Sequence, residues 1–268
     1  MSFMDRSLAR RLERTEGSVC ASYTEARRER PDDPGATWCD FEGTYAIFDG
    51  AESPLTQTFG LGVWDPVTPE GLSAIEAFFA ARGVATMHEV SPLAGVELSA
   101  LLVDRRYRPI EQSTVLVQDI VERVDPPGSP ALRVRTIEPA DRDAWIETSV
   151  AGWSGDAVVS PVIRSMAELS CANRSMVHFV AERDGAPVAT GSMGVHDGVA
   201  LMSGASTIPS ARGLGAQAML LAARLAEGRR RGCDLAMMVT EPGSTSQRNA
   251  ERRGFRVAYS RTKWRLAP

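Results

Sequence analysis

The chain has 268 residues, a formal charge of −4 and 43% apolar residues, enough for two domains with separate cores. A net negative chain offers no clustered cationic surface for nucleic acid or an anionic membrane, so the expected partners are small molecules; composition leaves open whether it is monomer or homodimer. Cys20, Cys39, Cys171 and Cys233 lack metal-like spacing, His88, His178 and His196 do not pair as ligands, and the charged N-terminal stretch has no signal-peptide core, which together predict reduced thiols, no metal and a cytoplasmic location.

In chain order, "SPLTQTFGLGVW" (53–64) reads as a strand and "TPEGLSAIEAFFAARG" (68–83) as a helix with Thr68 as N-cap and Pro69 at its first position. "VATMHEV" reads as a second strand and "GVELSALLVDRR" as a second helix. The junction "DRRYRPIEQSTVLV" (104–117) set against "RRGFRVAYSRTKWR" (252–265) places Arg106-Tyr107-Arg108 over Gly254-Phe255-Arg256, a weak sign of internal duplication. "VDPPGSPALRV" (124–134) collects three prolines and a glycine between strand-like runs, and the boundary is set near Gly128, giving domains 1–128 and 129–268.

Beyond the joint, "LRVRTIE" alternates as a strand and "PADRDAWIETSVAGW" opens as a helix. Three strand-like runs follow over 176–208, joined at Asp184-Gly185 and Asp197-Gly198, a strong hairpin signal because both turn residues take positive φ. A glycine turn then enters a helix over about 211–231. "CDLAMMVTE" reads as a buried strand, "PGSTSQ" as a turn, "RNAERR" as a short helix and "GFRVAYSRTKWRL" as a final strand or strand pair. The second domain therefore reads β-α-β-β-β-α-β-α-β, an antiparallel half joined to a parallel crossover.

The turn at 207–217 decides the reading. A strand that breaks at Pro209 and enters a helix through Gly213 and Gly215 leaves backbone N–H groups unpaired for an anion. Gly213-x-Gly215-x-x-Ala218 fits the dinucleotide fingerprint, but Pro209 to Arg212 intervene between strand and glycines, and too little chain remains for further βαβ units. No Gly-Lys-Ser/Thr follows, which excludes a P-loop, and "GWSGD" (152–156) has Asp156 where a nucleophile elbow needs glycine.

The stretch Thr207-Ile208-Pro209-Ser210-Ala211-Arg212-Gly213-Leu214-Gly215-Ala216-Gln217 resembles the CoA-binding signature of the GNAT superfamily of N-acetyltransferases, Val-x-Pro-x-x-Arg-Gly-x-Gly-x-Gly/Ala. It departs at Gln217, where the family has a small residue. "RRGFR" is similar to the family's Gly-Phe ending, and the resemblance covers about 131–268. It implies a tandem GNAT acyl-CoA N-acyltransferase fold, an α/β mixed antiparallel and parallel twisted sheet flanked by helices. It further implies acetyl-CoA as co-substrate and an unidentified small-molecule amine as acceptor. The backbone N–H groups of Gly213, Leu214, Gly215, Ala216 and Gln217 would hold the pyrophosphate beside Arg212, and the exposed backbone of Ala205, Ser206 and Thr207 the pantetheine arm. Ser246 and Asn249 are further candidate cofactor contacts, Ser246 being equally suited to N-capping.

Catalysis is less well marked. The family's usual thiolate-protonating tyrosine falls at Ala250, leaving Tyr259 as a substitute donor or water in its place. His178, Glu182, His196 and Glu241 are the titratable candidates for a base, and Trp153 and Asp156 for lining the acceptor. A CoA-binding sensor or scaffold without turnover remains the alternative. The N-terminal half enters its helix through "VWDPVTPEGLSA", with Asp65 and Glu70 where an incoming pyrophosphate would meet negative charge, so one CoA per chain is expected.

Overall fold

The computed structural model describes residues 4–120, 131–154 and 161–267; the joint at Gly128 and the candidate Asp156 lie outside the described residues. The chain folds as two compact units, one of residues 1–117 with 239–268 and one of residues 118–238. The elements of the first are α1 (Arg6–Arg28), β1 (Thr37–Phe41), β2 (Thr44–Phe48), β3 (Gln57–Phe59), α2 (Pro69–Ala80), β4 (Met87–Val90), α3 (Val96–Asp104) and β5 (Tyr107–Asp119). The second holds β6 (Leu132–Thr136), α4 (Arg142–Ser154), α5 (Pro161–Ala172), β7 (Val177–Arg183), β8 (Ala186–His196), β9 (Val199–Thr207), α6 (Ala216–Arg230) and β10 (Leu235–Thr240). The chain then returns to the first unit with α7 (Thr245–Glu251) and β11 (Arg256–Leu266).

In the first unit the strand order is β1-β2-β3-β4-β11-β5. β11 lies antiparallel to both β4 and β5, which is why residues 239–268, assigned by sequence to the second domain, join this unit. The two aligned junctions have similar backbones: Arg106 and Gly254 both take positive φ at a helix end, at +68° and +95°, and the next residues, Tyr107 and Phe255, are both buried. α2 starts as its sequence dictates, with Thr68 Oγ1 accepting from Gly71 N–H at 3.1 Å. Its Leu72, Ile75 and Phe79 pack with Leu98 and Leu102 of α3 in the core of the unit.

Three elements of this unit, α1, β1 and β2, have no counterpart among the expected elements. α1 buries Leu8, Leu12 and Val19 at spacings of four and seven, but the same helix also buries Glu13, Thr24 and Arg27, and the interleaved charges hide the apolar stripe. The β1–β2 hairpin turns at Glu42-Gly43, a weaker signal than Asn-Gly or Asp-Gly. The strand expected over 53–64 shortens to Gln57–Phe59 because Gly60 and Gly62 leave the extended region.

The second unit has the order β10-β9-β8-β7-β6, antiparallel except for the parallel pair β9–β10. Both Asp-Gly hairpins are present, with positive φ at Asp184, Gly185, Asp197 and Gly198. Trp145 and Val150 of α4 pack with Ala167 and Cys171 of α5 and Val180 of β7. α6 covers the opposite face, where Gly228 lies close to Ala200 and Met193. α5 has no counterpart in the sequence reading, and α6 begins at Ala216 rather than 211 because Pro209–Ala211 form a separate 3-10 turn. The fold is thus mixed α/β, with mixed-direction strands flanked by helices in each unit. Among the described residues no helix is long and apolar enough to cross a membrane.

Candidate functional site

The site begins with an irregularity in β9. Its register with β8 passes from Ala189↔Thr207 and Thr190↔Ser206 to Ser192↔Ser203, so Gly204 and Ala205 together face Gly191. This is a β-bulge, and Gly204 occupies it at φ +59°, a conformation that side chains disfavour. On the other edge of β9 the parallel ladder pairs Leu235 to Met237 with Val199 to Leu201 and ends there, while β9 continues to Thr207. The two strands therefore split and leave a wedge. Ile208 N–H donates to Val188 O at 3.0 Å, so the strand's alternation turns the Thr207 peptide groups away from β8, towards the wedge.

At the mouth of the wedge the chain enters α6 through Gly215, at φ +87° and with open space where a Cβ would stand. Ala218 N–H is the first to bond back into the turn, to Gly215 O at 3.0 Å. The N–H groups of Gly213, Leu214, Gly215, Ala216 and Gln217 have no partner among the described residues, and Gly213 to Gly215 are exposed. Successive free donors at the positive end of a helix suit an anion of phosphate type.

Side chains lace this turn to its neighbours. Arg212 Nε donates to Thr207 O at 3.4 Å and Nη2 to Gly152 O at 3.2 Å. Gln217 Nε2 donates to Ser206 O at 2.7 Å and Thr207 Oγ1 at 2.8 Å, so the residue that departs from the signature ties the helix start to the end of β9. Ser206 Oγ donates to Ser149 O of α4 at 3.1 Å. Gly152 lets α4 approach closely, since a Cβ there would stand 2.5 Å from Ser206 Oγ and 2.8 Å from Thr207 N. Trp153, next in α4, is 56% exposed.

Residues 142–255 match the family model of the acetyltransferase (GNAT) family. This segment is a GNAT acetyltransferase domain. The whole chain shares its fold with a GCN5-related N-acetyltransferase from Kribbella flavida, at 17% identity over 94% of this chain and 95% of that one, with a TM-score of 0.64. A tandem GNAT protein from the clavulanic acid biosynthesis pathway superposes with a TM-score of 0.60, at 14% identity over 92% and 88% of the two chains. A GCN5-related N-acetyltransferase from Sphaerobacter thermophilus does so with a TM-score of 0.58, at 16% identity over 95% and 92%. No curated protein sequence matches the chain closely.

The candidate residues named from sequence are divided between the two units. Ala205 to Thr207, Arg212 to Gln217, Trp153 and His178 belong to the second unit, and Glu241, Ser246, Asn249 and Tyr259 to the first. Ser246 and Asn249 are exposed on α7, whose N-cap is the neighbouring Ser244, accepting from Gln247 N–H at 3.1 Å; the capping role considered for Ser246 falls to Ser244. Tyr259 is buried and donates to Glu13 Oε1 at 2.7 Å. His178 lies beneath Trp145 with Nδ1 2.9 Å from Ser192 Oγ, and burial pushes it down to about 4, partly offset by the Ser170 backbone. Glu182 is engaged by Arg135 at 2.6 Å. The Glu241 carboxylate is exposed and has no partner among the described residues.

Two residues at the site were not singled out from sequence. Gly152 carries no sequence signal beyond being a glycine near a helix end. Arg224 reads as a surface cation of an amphipathic helix, yet it is 3% exposed, and burial pushes its guanidinium down to about 10. Among the described residues no cluster of His, Cys, Asp and Glu is arranged to hold a metal.

Proposed function

We propose that the protein is an N-acetyltransferase that binds acetyl-CoA at the Arg212–Gln217 turn and passes the acetyl group to the amine of a small molecule by direct attack in a ternary complex. The observation that carries this reading is the run of free N–H groups from Gly213 to Gln217 at the mouth of the β9–β10 wedge. The pyrophosphate would take these donors, with Arg212 as permanent countercharge. The pantetheine arm would pair with the wedge edge of β9 at Ala205 to Thr207, as a strand pairs with an unfilled edge. Trp153 would line the acceptor side in this reading.

Amide formation from a thioester needs a neutral amine, a proton acceptor and a donor for the departing thiolate. We assign the acceptor role to Glu241, acting through water, because its carboxylate is exposed and unengaged. His178 is neutral but a weak base, its basicity spent by burial. Tyr259 donates its hydrogen bond to Glu13 inside the first unit, which favours water as the thiolate's donor. In this division residues 129–268 carry the transfer, and residues 1–128 form a degenerate GNAT-like domain. The same absence of a ready acid, with Ala250 buried at the usual tyrosine position, supports the second reading of a CoA-binding sensor. Thiol release from acetyl-CoA against a panel of amines separates the two: turnover with any amine supports the enzyme, and tight CoA binding with no turnover supports the sensor.

A further inference from the structure

The buried cation of α6 has a geometry that its packing alone does not require. Arg224 donates from Nε to Leu220 O of its own helix at 3.2 Å and from Nη1 to Ser192 O and Ser203 O, each at 3.4 Å. Ser192 and Ser203 are the register pair that closes the bulge, on β8 and β9 respectively. Gly191, the single residue opposite the bulge, leaves the space: a Cβ there would stand 3.2 Å from the guanidinium carbon. No carboxylate pairs with Arg224 among the described residues. An unpaired buried charge costs several kcal/mol, and an apolar side chain of similar volume would fill the same space at lower cost. A guanidinium does what such a side chain cannot: Nη1 donates to carbonyls on two strands at once while Nε, fixed in the same plane, holds it to the helix.

We propose that Arg224 is a positioning residue that clamps β8 to β9 at the bulge and so keeps the end of β9 splayed from β10. The bulge starts at Gly204, three residues beyond the last parallel pair, Leu201 with Met237, so loosening it lets Gly204 to Thr207 drift out of the conformation that borders the wedge. This inference rests on the proposed CoA site for its functional consequence, but the clamp itself is a property of the strands.

The test compares wild type with Arg224→Met and Arg224→Lys by amide hydrogen exchange and CoA titration. In Arg224→Met the amides of Ser206 and Ile208 are expected to exchange at least tenfold faster while Val199 to Leu201 are unchanged, and the CoA Kd to rise at least tenfold. Arg224→Lys, which keeps the charge but not the fork, should lie between, and it carries the test if Arg224→Met does not fold. Exchange and Kd within twofold of wild type in both variants, or exchange raised equally throughout the second unit, overturns the proposal. Local acceleration in a protein whose wild type binds no CoA keeps the clamp and overturns the CoA reading instead.

Discussion

The two units each contain a strand, a glycine turn and a helix in the same order, yet they treat the turn in opposite ways. In the second unit Gly213 to Gly215 are exposed and their N–H groups have no partner among the described residues. In the first, Leu61 and Val63 are buried, and Gly60 N–H donates to Glu13 Oε2 at 3.2 Å. Arg10 takes the carbonyls of Val63 and Trp64, and Trp64 lies directly over Gly43 and Gly60. A carboxylate of the chain itself stands where a phosphate would be wanted, and an indole closes the space above it. β3 and β4 share one parallel pair, Thr58↔His88, and their side chains bridge it, Thr58 Oγ1 to His88 Nδ1 at 2.8 Å. Asp65 and Glu70 bring repelling charge to the first turn, and the fold adds a second difference, since the Gly60 N–H of the first turn has an internal acceptor while Gly213 to Gly215 have none among the described residues.

The largest effect that would break this comparison is on stability. Glu13 is 1% exposed and accepts from Tyr259, Gly60 N–H and Arg261, the last at 3.3 Å and itself 1% exposed. Glu13→Ala should therefore cost about 3–5 kcal/mol in chemical denaturation, because it leaves two buried donors, Gly60 N–H and the Tyr259 hydroxyl, without an acceptor at about 1–3 kcal/mol each and removes one of the partners of Arg261. Arg261 keeps Glu16 and Glu89, which bounds the loss; a change under about 1 kcal/mol would mean that the first turn does not depend on its internal anion.

Acid should next loosen both units in parallel. Burial pushes His88 down to about 3 and His178 to about 4, from an ordinary 6.5. A histidine whose folded value is depressed adds stability above pH 6.5 that is lost as pH falls towards 4. The loss should be about 3 kcal/mol for His178 alone. Unfolding free energy measured between pH 7 and 4 checks this, and a flat profile in wild type would refute it.

Gly215→Val sharpens the contrast at the open turn. The backbone there has φ +87°, which a β-branched residue adopts at a cost of about 1–2 kcal/mol, and the added side chain would obstruct an approaching phosphate. CoA affinity should fall by about a hundredfold or more while the fold is retained. The same calorimetric titration gives the count: one CoA per wild-type chain is expected, and two equivalent sites would erase the distinction between the turns.

The smallest expected change is in Tyr259→Phe. Losing the hydrogen bond to Glu13 should cost about 1–2 kcal/mol of stability, with turnover within a few-fold of wild type. A hundredfold loss of turnover at unchanged acetyl-CoA affinity would make Tyr259 the acid and reverse the assignment to water.

The sequence by itself determined the local geometry that covalent structure dictates. The Asp-Gly pairs required hairpins, Thr68 with Pro69 required a helix start, and Pro209 with two glycines required a turn with free donors; each depends on neighbours within a few residues. Only the tertiary structure decided which turn stays free, because Glu13 meets Gly60 from 47 positions away and Tyr259 reaches Glu13 across 246. It also decided the fate of charged residues. Arg224 and Glu13 carry the signature of surface positions, and they are buried because partners supplied by distant strands compensate the desolvation that sequence periodicity alone would count against them.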